Sequence, residues 1–259
     1  MPFTRCLLLG ALAAPAPIRV ARADGVAIHV LSSGSFTAAY QRLGPLFERR
    51  TGHRLISAFG ASFGPDPTAL PGRLARGEPA DVVLALSDGL EALARDGHLD
   101  AATMTPLAET RIAFAVRAGA PRPDMSSVGA MRAALLAAGS IACSPSGSGL
   151  YYERELVQRL GIADQVPPKS RRWFPDRIGV AVARGDAELG LQQISELLPI
   201  PGIEIIRIPE EVQRVGIAAG VVATRARQPA AARELIAFLA SPEAAEAVAA
   251  TGLDPIRPG

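Results

Sequence analysis

Three short stretches place hydroxyl and glycine residues where a β-rich run hands over to an amphipathic one: "SSGS" (32–35), "GAS" (60–62) and "SPSGSG" (144–149). A strand end that feeds a helix presents unpaired backbone N–H groups and the positive end of the helix dipole, here joined by serine hydroxyls. Such a set holds an anion without carrying net charge of its own. Taken singly, serine and glycine at these points are ordinary capping and turn residues. Three such junctions at the carboxyl ends of strands, where α/β proteins bind ligands, point instead to a shared anion cleft.

Other chemistries find little support. Lys169 is the sole lysine and no glycine-rich phosphate loop precedes it; no G-x-S-x-G nucleophile elbow occurs either. His29, His53 and His98 are isolated from one another and from cysteine, which speaks against a transition-metal site. Asp66 with Asp81, and Asp176 with Asp186, are carboxylates whose spacing alone assigns them nothing. A rival reading, a secreted hydrolase using the serine-rich cleft, needs a base beside Ser35 or Ser148, and neither motif contains histidine. The expectation is a binding protein with no catalytic residue, no metal and no cofactor.

The elements that must position these junctions alternate. "VAIHVLSS" reads as a strand and "SFTAAYQRLGPLFERRTG" as a helix, with Phe36, Tyr40, Leu43 and Phe47 at helical spacing. "HRLISAFG", "TALPGRLARGE", "ADVVLAL" and "DGLEALARDGHL" continue as strand, helix, strand and helix. This order implies a parallel sheet with helices on its faces. The pattern then repeats: "RIAFAVRAG" and "SIACS" as strands, with "SSVGAMRAALLAA" as a helix between them. "GLYYERELVQRLG" and "RIGVAVARGD" follow as helices and "ELGLQQI" as a strand. "IEIIRIP" and "VGIAAGVVAT" are further strands, and two closing helices are broken at Pro242. Two α/β lobes fit this order, with the chain crossing between them near 108–118 and 212–222. Lobe 1 is expected to comprise 24–110 and 215–259, and lobe 2 to comprise 111–214.

An apolar fraction of 49% over 259 residues is ample for a core. A net charge of +2 is too small for a chain built to coat nucleic acid or acidic lipid. Residues 1–23 read as a secretory signal peptide: Arg5, the apolar run "CLLLGALAAPAP", and a small-x-small cleavage site at Ala21-Arg22-Ala23. Cleavage there removes Cys6 and leaves Cys143 alone, so the mature chain has no intramolecular disulfide.

"IHVLSSGSFTAAY", "FGASF", "LARGEPADVVLALSDGLEALARDGHLD" and "RGDAELGLQQISEL" together resemble the periplasmic molybdate-binding group of solute-binding proteins for ABC-type importers, over roughly 26–250. The resemblance implies a two-lobed periplasmic-binding-protein fold, each lobe a mostly parallel sheet flanked by helices, with the ligand cleft between lobes. It also implies a monomeric periplasmic receptor that delivers a small anion to a membrane permease. In that group the oxyanion is held by neutral donors. Carried over, the serines after the first and second strands fall on Ser35 and Ser62. The main-chain donor at the lobe-2 helix falls on Ser148, with Gly149 beside it. Two positions depart from the pattern: a backbone donor falls at or beside Pro175, which has no N–H, and a tyrosine hydroxyl falls on Gln193. With Arg171, Arg172, Trp173 and Arg177 nearby, and Arg177 opening the helix whose N-terminus should face the cleft, a carboxylate-bearing acid is favoured over a tetrahedral oxyanion such as molybdate or tungstate. A further alternative, the effector portion of a transcription regulator, lacks the basic helix-turn-helix segment it would need.

Overall fold

The computed structural model describes residues 25–64, 67–173 and 177–256. The leader read at 1–23, with Cys6, and the departure at Pro175 lie outside the described residues.

The first half of the fold runs β1 (Ala27–Ser33), α1 (Gly34–Thr51), β2 (Arg54–Gly60), α2 (Leu70–Ala75), β3 (Val82–Leu86), α3 (Ser87–Arg95) and β4 (Thr105–Arg117). It continues with α4 (Val128–Ala137), β5 (Ile141–Cys143) and α5 (Gly147–Tyr151). From α5 the helix passes through a π-helical turn (Tyr152–Leu156) into α6 (Val157–Arg159). Then come β6 (Ser170–Arg172), α7 (Ile178–Arg184), β7 (Leu189–Gln193), α8 (Ile194–Leu197), β8 (Ile203–Arg207) and β9 (Val215–Val222). α9 (Pro229–Leu239), α10 (Ala245–Ala249) and β10 (Asp254–Pro255) close the chain. The strand–helix alternation anticipated from the sequence is present. The short β6, α8 and β10 are additions, each too brief to leave a periodic signal.

The sheet order is β2-β1-β3-β9-β4-β7-β5-β6, with β8 and β10 also pairing with β4. β1 runs parallel to β2 and β3, and β5 parallel to β6 and β7, as crossover helices require. The strands at the centre run antiparallel, so the sheet is mixed. β4 is the shared element: its residues 105–111 pair with β9, and residues 112–117 pair with β7 or β8. A single long strand thus stitches the two lobes together.

Each lobe buries both faces of its sheet. Val30 and Leu84 meet α1 and α9 through Phe36, Leu43, Phe47 and Leu235, while Leu31 and Val83 face Leu70, Leu90 and Leu93. In the other lobe Phe114 packs with Met131, Tyr152 and Leu156, and the neighbouring Ala113 and Ala115 pack with Ile178, Val182 and Leu197. This alternation along β1 and β4 follows from the period of two in a strand. Asp81, in the "PAD" entry to β3, is buried and accepts backbone N–H groups from His29 (2.8 Å), Arg227 (2.6 Å) and Gln228 (2.8 Å). This signature aspartate is therefore a structural anchor joining β1, β3 and the approach to α9.

Candidate functional site

The three serine junctions converge. A cavity of about 320 Å³ lies between the lobes, lined on one side by Ser35 and Ser62 and on the other by Ser144, Ser146, Arg177 and Gln193. Trp173, Gln192 and Glu196 complete the second side. Every wall comes from a strand end and the start of the following helix or loop, which is why residues far apart in sequence meet here.

On the lobe-1 side the hydroxyls are largely satisfied among themselves. Ser33 Oγ lies 3.0 Å from Ser35 Oγ and Ser32 Oγ 3.2 Å from Thr37 Oγ1, while Thr37 Oγ1 donates to Ser33 O at 2.8 Å. Ser33 caps α1 in an extended conformation. Ser35 and Ser62 are both buried.

On the lobe-2 side a chain of hydrogen bonds runs from the β5–α5 loop to α8. Ser144 Oγ lies 3.0 Å from Ser148 Oγ; Ser148 Oγ donates to Gln192 Oε1 at 2.7 Å; Gln192 Nε2 donates to Glu196 Oε2 at 2.9 Å. Ser148 and Gly149 do not line the cavity directly. Ser148 is buried behind Ser144 and Ser146, and the Gly149 N–H is directed to Ser144 Oγ at 3.3 Å. Gly149 is required by close approach, since a Cβ there would overlap the carbonyl of Ser144. Their hydroxyl and N–H groups shape the loop that presents Ser144 and Ser146.

Among the described residues Glu196 is the one carboxylate lining this cavity. It keeps some contact with solvent through the cleft but is otherwise enclosed by protein. That enclosure raises its pKa from the usual carboxylate range to about 7, against the opposing pull of the Arg177 charge and the Gln192 hydrogen bond. Its carboxylate lies against the first turn of α1, where a Cβ on Gly34 would overlap it. Next to it, Ser195 Oγ donates to Ser35 O at 3.1 Å, tying the two lobes together. A second cavity of about 270 Å³, lined by Gln41, Arg42 and Leu198, shares Gly34, Thr37, Arg177 and Glu196 with the first. Gly34 and Glu196 form the partition between the two.

Two buried polar atoms of cleft residues have no partner among the described residues: Trp173 Nε1, a donor, and Gln193 Oε1, an acceptor in a residue only 6% exposed. Buried polar groups are rarely left unpaired, and both residues line the cavity wall. Arg171 and Arg172, grouped with Trp173 in the sequence reading, point away: both are exposed, and Arg172 grips Glu153 through contacts of 2.5–3.2 Å. Gln192 and Glu196 went unassigned from sequence. The signal was present in "QQISE", a fourth strand-to-helix junction, hidden because α8 spans only four residues.

No histidine serves the cleft serines. His29 contacts Asp81 at 3.4 Å and His53 contacts Glu234 at 3.2 Å, and neither lines the cleft cavity. Among the described residues no group of three His, Cys, Asp or Glu side chains is placed to hold a metal ion. Cys143, beneath Ser144, is buried and its thiol is pushed up to about 12, chiefly by desolvation, so it is not a nucleophile at neutral pH.

A two-lobed α/β fold with an anion-type cleft between the lobes defines the periplasmic-binding-protein class. Residues 28–254 match the family described as bacterial extracellular solute-binding protein, and the chain belongs to that family. It is 39% identical over 251 residues to an aconitate isomerase from a Pseudomonas species, covering 96% of both chains. It is 25% identical over 234 residues to the molybdate-binding protein ModA of Escherichia coli K12, covering 87% of this chain and 88% of that one. Among solved structures, the periplasmic molybdate-binding protein of Azotobacter vinelandii superposes with a TM-score of 0.71 at 19% identity, over 90% of this chain and all of that one, a likeness of fold.

Proposed function

We propose that this chain is a periplasmic receptor that captures a small polycarboxylate of the aconitate class between its lobes. The observation that carries the reading is the composition of the lobe-2 wall. Arg177 supplies a planar cationic fork, and Trp173 an indole N–H without a partner among the described residues. The lobe-1 hydroxyls of Ser35 and Ser62 suit any oxyanion, so selectivity falls to lobe 2. Full-length likeness to an aconitate isomerase supports the same ligand class. Ligand closes the lobes, and the closed form is what an ABC-type permease would recognise. Molybdate or tungstate is the competing ligand, favoured by the likeness to the Escherichia coli protein.

A thermal-shift screen of the purified mature chain tests this. cis- and trans-Aconitate, citrate, molybdate, tungstate and sulfate would be compared. A ligand at a hundred times its Kd stabilises by about 2.7 kcal/mol. The expected result is a raised Tm with aconitate; a rise with molybdate and tungstate alone would overturn the ligand class. Export is checked separately by whether native protein begins near Asp24.

A further inference from the structure

Resting on the polycarboxylate reading of the cleft, we infer that Glu196 is a proton-transfer group and that the cleft isomerises its ligand as well as binding it. A receptor for a polyanion gains nothing from a carboxylate in its own wall, because like charges in an enclosed site repel. Glu196 is nevertheless placed where both cavities meet, held by Gln192 and backed through Ser148 to the Ser144 loop. Solvation and salt bridging do not explain its placement: it is enclosed rather than exposed, and its one described hydrogen bond comes from a neutral amide.

A propene tricarboxylate carries a methylene flanked by a carboxylate and an alkene. Glu196 removes one methylene proton: that C–H bond breaks, the proton passes to a glutamate oxygen, and the electron pair spreads over the allylic unit into the carboxylates. The same proton is returned to the former vinyl carbon, forming a new C–H bond and moving the double bond, which exchanges cis and trans forms. Atoms and electrons balance without an oxidant or a cofactor. Charge developing on the ligand's oxygens falls beside Arg177 and the serine hydroxyls, the arrangement that stabilises an enolate-like intermediate. A base poised near neutrality both accepts and returns a proton efficiently, and enclosure puts Glu196 in that range. Among the described residues, the charged groups facing it are Arg177 at the start of α7 and, across the second cavity, Arg42 of α1; from β7 it meets Gln192.

The test follows trans-aconitate by proton NMR with the wild-type chain, Glu196→Gln and Glu196→Asp, and measures binding of each variant by calorimetry. The expected result is conversion to the cis form by wild type and a loss of about a hundredfold or more in Glu196→Gln. Binding by Glu196→Gln should be retained or tightened, and Glu196→Asp should recover part of the rate. The wild-type rate should climb as pH rises through about 7, and Glu196→Gln should lack that limb. Binding without conversion overturns the inference and leaves the ligand class standing, as does a Glu196→Gln chain that converts at the wild-type rate. Failure of the wild type to bind aconitate removes both.

Discussion

The two walls of the cleft are built alike and finished differently. Each begins as a strand end with serines feeding a helix. In lobe 1 the hydroxyls of Ser32, Ser33, Ser35 and Thr37 close upon one another, leaving a neutral wall. In lobe 2 the serines hand their hydrogen bonds along Gln192 to an ionisable carboxylate, with an arginine beside it and two orphaned polar atoms nearby. The difference separates two tasks within one fold. On the polycarboxylate reading proposed above, lobe 1 contributes a neutral hydroxyl wall and lobe 2 the groups that would distinguish one acid from another.

This division can be broken in stages. The largest effect is expected from Gly149→Ala, whose added methyl meets the backbone of Ser144 with no flexible side chain to yield. A loss of about 3 kcal/mol is expected in urea unfolding, together with loss of ligand-induced stabilisation, because the loop itself must move.

Glu196→Gln comes next, and its sign depends on pH. The folded pKa of Glu196 stands above the ordinary value, so its protonated form is favoured in the native state. That contribution is fully present below about 4.5 and is lost as pH rises to about 7, above which the native state bears a constant penalty. Glu196→Gln should therefore be more stable than wild type by about 2–3 kcal/mol at pH 8 and by little at pH 4, read from melts at both values.

Ser148→Ala leaves Gln192 Oε1 without its donor, at a cost of about 1–2 kcal/mol in thermal unfolding. In contrast, Ser35→Ala should leave stability within about 1 kcal/mol while weakening every oxyanion ligand to a similar degree. The smallest effect belongs to Arg177→Gln. This exposed residue should change stability by under about 0.5 kcal/mol, yet weaken carboxylate binding more at low than at high salt in a calorimetric series.

Much of this was legible in the sequence. The spacing of Phe36, Tyr40, Leu43 and Phe47 marks α1, and those side chains do form one core. The serine junctions pointed to a cleft, and Ser35, Ser62, Arg177 and Gln193 line it together. Ser148 and Gly149 show the limit of such reading: a serine-glycine loop announces a tight turn but not which hydroxyls face outward. Glu196 shows the other limit. Its meaning lies in enclosure by α1 across the lobe boundary, a contact between residues more than a hundred and fifty positions apart that no local pattern encodes. Arg172 was equally unreadable, because its partner Glu153 sits on a helix surface selected by a π-helical turn.

The most direct measurement is a calorimetric titration of residues 24–259 with trans-aconitate at pH 6 and pH 8, repeated with Glu196→Gln. A protonated Glu196 tolerates a polyanion better than a charged one, so wild-type affinity should be several-fold to tenfold higher at pH 6, and Glu196→Gln should flatten that dependence. Binding of molybdate but not aconitate, or equal pH dependence in both chains, would contradict a polycarboxylate cleft governed by this carboxylate.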